Sequence, residues 1–272
     1  MFKVNEYLVA FLLSTSAQSF ALDRFDENEN QNPIALQKNV KRKQLAKPSR
    51  IPRDNIEEII ENVKLVDTDS SSIDETLPLN FELEKIPKRF LWRFNRYTDP
   101  KNVHATEKLY NNIEPYFGII EDMAKKYKIS KDIISTIMLT ETGGNPKLGY
   151  GLMQITPALA PTLERNYQMY GRETPIKCFR SQEEHIECAA MFLSKLYKKI
   201  KDLNIPREEI YLAVAGAYNI GNTEIFSNHF ERKRIKTIWD LREGHIPKRT
   251  LDYISKVVAW TYILNHPEVI NH

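Results

Sequence analysis

The chain has 272 residues, 42% of them hydrophobic and 28% charged, with a formal net charge of +3 and two cysteines. That is enough apolar material for one large domain or two small ones. The charge is too slight for a nucleic-acid footprint, so no nucleic-acid partner is expected. Cys178 and Cys188 lie ten positions apart, and the six histidines show no ligand spacing, so neither a metal nor a cofactor is expected.

The first 21 residues read as an export signal. Lys3 precedes an apolar run from Tyr7 to Leu13, and Ser19-Phe20-Ala21 offers a small-x-small cleavage site. The run is too short to span a bilayer, and no later segment is long and apolar enough, so no integral membrane segment is expected once the signal is removed. Residues 22–87 change character. Acidic "DENENQNP", basic "QKNVKRKQLAKPSRIPR" and the loop "DTDSSSIDETLP" bury too little apolar surface to offset the entropy of ordering them. A disordered or weakly structured tether is expected there. The stretch Ile56-Glu-Glu-Ile-Ile-Glu-Asn-Val could form one short helix, and the cluster around Lys41, Arg42 and Lys43 could meet an anionic surface or a protein partner.

From residue 88 to 272 helical periodicity takes over. Ile113, Phe117, Ile120, Met123 and Ala124 recur at spacings of three and four, which predicts a helix ending near "KKYKI". Ser130 is a good N-cap for the next helix, marked by Ile133, Ile134, Ile137 and Met138. "ALAPTLERNYQMYG", "SQEEHIECAAMFLSKLYKKI", "REEIYLAVAGAYNIG" and "RTLDYISKVVAWTYIL" are helical in turn, and no alternating run insists on a sheet. The fold class expected is mainly α, in one domain. In an exported protein Cys178 and Cys188 could close a disulfide loop; two separate thiols are the alternative.

One stretch carries chemistry. In "LTETGGNPKLGYGLMQITP" (139–157), Glu141 lies seven residues after Ile134, almost two turns, and so continues an apolar face. A carboxylate placed there is desolvated and meets the negative end of the helix dipole. Both effects favour its protonated form, as a general acid requires. Gly143 or Gly144 can end the helix in the left-handed conformation. Gly149-Tyr150-Gly151 allows sharp turns and a close approach of backbone to ligand. Leu152 and Ile155 could anchor a strand-like piece that offers the amide of Gln154 to an N-acetyl sugar. Downstream, "AVAGAYNIGN" packs small residues into a helix and presents Tyr218 and Asn219 at its end.

Four ordered blocks resemble the lytic transglycosylase family, the soluble-transglycosylase (SLT-type) catalytic module of the goose-lysozyme-like superfamily. They are "IEPYFGIIEDMAKKYKISKDIISTIMLTETGGNP", "GLMQITP", "AVAGAYNIGN" and "IPKRTLDYISKVVAWTYIL", within about residues 104–265. The resemblance implies a lysozyme-like fold with Glu141 as the one catalytic acid and base. It implies that Met153 and Gln154 line a saccharide groove, that Tyr218 orients Glu141, and that Asn219 contacts substrate. Tyr253 would stand beside the acid, with Thr250 near the start of the last helix. The chain departs from the usual pattern in a shorter interval between Glu141 and Gly151, in Thr142 for serine, and in "AYNIG" for "AYNAG". The implied function is cofactor-free cleavage of the β-1,4 bond between N-acetylmuramic acid and N-acetylglucosamine in peptidoglycan glycan strands, closing a 1,6-anhydro ring. The implied place is the periplasm. A muramidase that delivers water, and a non-catalytic wall-binding scaffold of a secretion apparatus, are the alternatives.

Overall fold

The computed structural model describes residues 82–168, 176–221, 230 and 235–270. The expected signal, the short helix near Ile56 and nearly all of the expected tether lie outside these residues. Eight α-helices run through the described chain: α1 Lys88–Tyr97, α2 Val103–Asn111, α3 Phe117–Tyr127, α4 Lys131–Thr142, α5 Ala160–Gln168, α6 Gln182–Ile200, α7 Ile210–Ile220 and α8 Lys248–Asn265. No strand occurs among the described residues; a single bridge joins Glu243 and Ile246. The fold is mostly helical, as the periodicity predicts. Packing reaches back before α1, because Ile86 is already buried in the core.

Two helices form the centre. In α4, residues Ile133 to Thr140 and Thr142 are all buried, and in α7 so are Ile210 to Tyr218 and Ile220. A helix apolar on every side belongs inside a protein. Each fully buried Ile or Met contributes about 2 kcal/mol of apolar burial. The run Ala213, Ala215, Gly216 and Ala217 keeps α7 thin, so its neighbours can approach closely. The long α8 packs across α1, α4 and α7, while α6 covers α3, α5 and α7. Chain ends far apart in sequence thus meet around the C-terminal end of α4.

Local chemistry sets the boundaries. Ser130 Oγ accepts from the Asp132 amide 3.2 Å away and starts α4. Gly143, with φ of +58°, ends it, and its amide returns to the Leu139 carbonyl. The helix expected to begin at Ile113 is broken. Pro115 sits in a short 3-10 turn, Glu114–Tyr116, and α3 starts after it. That break turns Phe117 off the buried face and leaves it 38% exposed, whereas Ile113, Ile120, Met123 and Ala124 pack in the core. The strand-like piece expected around Leu152 is a series of turns instead. Leu152, Met153 and Ile155 nevertheless anchor it, all of them buried.

Candidate active site at the end of helix α4

Glu141 occupies the last turn of α4. Its side chain keeps a partly open surface, while Thr140 and Thr142 on either side are buried. Burial of the carboxyl pushes its pKa up to about 7, against two weaker influences that favour the charged form. One is the Tyr253 hydroxyl, which donates to Glu141 Oε1 at 2.8 Å; the other is the positive charge of Lys256. Desolvation wins. At neutral pH such a group holds its proton in a large fraction of molecules and can also release it.

The segment that follows is tied to the helix by its own polar groups. Thr142 Oγ1 donates to the Leu152 carbonyl at 2.9 Å, joining the end of α4 to the start of "LMQ". Asn112 Nδ2 donates to the Gly143 carbonyl at 3.0 Å. A Cβ at Gly144 would come within 2.9 Å of the Asn112 backbone, so a side chain there would force α2 away. Gly151, with φ of +85°, brings its backbone against the His185 ring of α6. Gln154 itself takes φ of +50°, a strained value for a residue with a side chain, costing about 1 kcal/mol. Two bonds offset it: Gln154 Nε2 donates to the Leu148 and Gly151 carbonyls, each at 2.8 Å.

These contacts redistribute the roles assigned from sequence. The hydroxyl that reaches Glu141 belongs to Tyr253, not to Tyr218. Tyr218 donates at 2.7 Å to the Met153 carbonyl and so holds the "GLMQ" turn against α7. The two phenols are still neighbours of the acid. Burial first, then the nearby negative charge of Glu141, holds both well above the ordinary tyrosine range, so both remain donors. The Met153 side chain is wholly buried, and its carbonyl is the acceptor for the Tyr218 hydroxyl. The amide of Gln154 is spent on shaping the glycine turn. Asn219 is half-buried, and its Oδ1 accepts from Thr250 Oγ1 at 2.9 Å, linking the ends of α7 and α8. Cys178 and Cys188 are disulfide-bonded, with Cα atoms 5.7 Å apart.

Sequence reasoning passed over three side chains in this neighbourhood. Lys256 lies one turn beyond Tyr253 on α8, and it is buried. His185 is buried too, with Nδ1 at 2.8 Å from the Cys178 carbonyl, so the ring links the disulfide loop to Gly151. Phe179 stands 52% exposed at the edge of a cavity of about 590 Å³ lined also by Tyr150 and His185. Neither Glu141 nor Tyr253 lines that cavity. The i+3 spacing from Tyr253 could have flagged Lys256; nothing in the sequence marks the other two.

Residues 118–240 match the family model described as the transglycosylase SLT domain. That span holds Glu141, Met153, Gln154, Tyr218 and Asn219, and it stops short of α8 with Tyr253. The chain is also similar to the membrane-bound lytic murein transglycosylase E of Buchnera aphidicola subsp. Acyrthosiphon pisum (strain APS), 27% identical over 149 residues. The match covers 51% of this chain and 64% of that protein, so the chain spans less than two thirds of this curated relative. Over this part the chain is similar to lytic transglycosylases, and the mostly helical fold of the described residues fits a lysozyme-like SLT domain.

Proposed function

We propose that the protein is a peptidoglycan lytic transglycosylase in which Glu141 acts alone, first as acid and then as base. The observation that carries this reading is the Glu141 carboxyl in the last turn of α4, on a residue that keeps some exposed surface. Burial brings its pKa to about 7, and the Tyr253 hydroxyl is fixed on one of its oxygens. With Oε1 taken by Tyr253, the proton for transfer sits on Oε2. Glu141 gives it to the glycosidic oxygen between N-acetylmuramic acid and N-acetylglucosamine as the bond to C1 breaks. The muramyl N-acetyl carbonyl stabilises the electron-poor C1. The C6 hydroxyl of the same sugar then bonds to C1 and returns its proton to Glu141, closing a 1,6-anhydro ring without consuming water. Holding that hydroxyl on the same sugar supplies the proximity that free water lacks.

A two-carboxylate glycosidase places its second acid about 5–10 Å from the first, as nucleophile or as base for water. Among the described residues, the charged or hydrogen-bonding groups that shift Glu141 are Tyr253 and Lys256, and neither is a carboxylate. The leader read at residues 1–21 supports export to the periplasm, where the polymer lies.

Release of soluble fragments from purified peptidoglycan tests the assignment. Glu141→Gln keeps the shape and removes the proton, so release falls by at least about a thousandfold while sedimentation with the polymer persists. Release by Glu141→Gln at the wild-type rate would remove Glu141 from the chemistry. The first step needs the protonated acid, so the wild-type rate declines as pH rises through about 7.

A further inference from the structure

Beside the contact between Tyr253 and Glu141 lies a second pairing of the same kind. Thr250 precedes Tyr253 by three residues on α8, and positions three apart on a helix share a face. From that face the Tyr253 hydroxyl donates to Glu141 Oε1 at 2.8 Å. One turn earlier the Thr250 hydroxyl donates to Asn219 Oδ1 at 2.9 Å. A helix rises about 1.5 Å per residue, so the two donors start about 4.5 Å apart along α8. Asn219 also follows Tyr218, the phenol that holds the "GLMQ" turn, near the end of α7. Its amide therefore stands one turn of α8 away from the acid, held from one side.

The two edges of that amide are unlike. The oxygen is taken by Thr250, a wholly buried residue. Nδ2 bonds to no described residue and is not sealed, because Asn219 is only half-buried. The neighbouring amide, that of Gln154, already gives its Nε2 to the Leu148 and Gly151 carbonyls. An amide free to turn offers a donor at one edge and an acceptor at the other, whereas one held by its oxygen offers donors alone. A sugar hydroxyl both gives and accepts, so a donor-only edge leaves its proton unmet; a carbonyl oxygen only accepts and is fully satisfied there. We propose that Thr250 is a positioning residue for Asn219: its hydroxyl fixes the amide so that Nδ2 is presented beside Glu141 to the carbonyl oxygen of an N-acetyl group. This rests on the reading of an N-acetylated glycan as the substrate.

An NMR titration that needs no turnover tests it, with asparagine ¹⁵N-labelled and Asn219→Ala used to assign the side-chain signals. Two neutral ligands are compared: the trimer of N-acetylglucosamine, and cellotriose, which carries a hydroxyl in place of each acetamido group. In the wild type the Nδ2 signals of Asn219 move with the N-acetylated trimer, which binds more tightly than cellotriose. Thr250→Val keeps the shape and removes the hydroxyl, so that preference falls about 3- to 10-fold, the worth of one neutral hydrogen bond. Thr250→Ser, which keeps the hydroxyl, restores it. On peptidoglycan Thr250→Val raises KM by a similar factor and changes kcat less. A merely structural threonine would lower stability and leave the ratio of the two affinities as it was. If Thr250→Val does not fold, Asn219→Asp removes the donor at the same size and loses the same preference. An unchanged ratio in folded Thr250→Val or Asn219→Asp overturns the proposal, as does a wild type whose Asn219 signals respond to neither sugar. A ratio that falls in a protein releasing nothing from peptidoglycan upholds Thr250 and refutes the enzymatic reading instead.

Discussion

At the scale of single residues, the site turns on which tyrosine touches the acid. Tyr253 donates to Glu141 at 2.8 Å, whereas the Tyr218 hydroxyl is taken by the Met153 carbonyl at 2.7 Å. The two positions should therefore fail differently. Tyr253→Phe slows release about 10- to 100-fold through the loss of orientation. It also removes a donor that stabilises the carboxylate, so the pKa of Glu141 rises and the falling limb of the rate profile shifts to higher pH. Tyr218→Phe leaves a buried carbonyl without its donor and lowers stability by about 1–3 kcal/mol, with a smaller effect on rate. Kinetics across pH beside urea denaturation separates the two. A Tyr218→Phe variant of normal stability that loses more rate than Tyr253→Phe would return the orienting role to Tyr218. Glu141 itself was legible from sequence, because an apolar period of three and four that ends in a carboxylate and two glycines dictates both its burial and its place at a helix end. The division of labour between Tyr218 and Tyr253 was not. A hydroxyl on either helix could have met the acid, and a few degrees of helix rotation decide which one does.

At the scale of elements, the glycine-rich segment is held by three different devices. Thr142 ties it to α4, Tyr218 ties it to α7, and the His185 ring of α6 lies against Gly151. The third device depends on the disulfide loop. Cys178 is bonded to Cys188, and its carbonyl takes the His185 Nδ1 proton. The bond closes a loop of about ten residues across the start of α6 and contributes about 2–3 kcal/mol. Replacing both cysteines by alanine lowers the unfolding free energy by about that amount, and reduction of the wild type has the same effect. Denaturation curves that coincide with and without reductant would mean that the thiols are not bonded in solution. Helix existence along this region was readable from periodicity, and so was the cap at Ser130. The turns at 148–154 were not, because Gln154 adopts a left-handed backbone that its residue type disfavours. Only the closing of its amide onto Leu148 and Gly151 makes that conformation the stable one.

At the scale of the whole molecule, the fold brings residues more than a hundred positions apart onto one carboxyl group. Central α4 supplies the acid, α7 secures the neighbouring turn, and α8 crosses both to deliver Tyr253 and Lys256. This explains why the helical class was evident in the sequence while the Arg93–Asp252–Lys256 cluster was not. Charged residues spaced along surface-like helical patterns read as solvated, whereas packing of α8 against its neighbours buries Arg93 and Lys256 and half-buries Asp252 between them. Transglycosylase and hydrolase chemistry differ in the source of the oxygen that ends up on the muramyl C1. That difference is tested most directly by mass spectrometry of muropeptides released from purified peptidoglycan. The single-acid route yields muramyl ends lighter by one water, about 18 Da, than hydrolysed ends, the mark of a 1,6-anhydro ring closed by the sugar's own C6 hydroxyl. Reducing muramyl ends with the full mass would contradict it and make Glu141 the acid of a hydrolase.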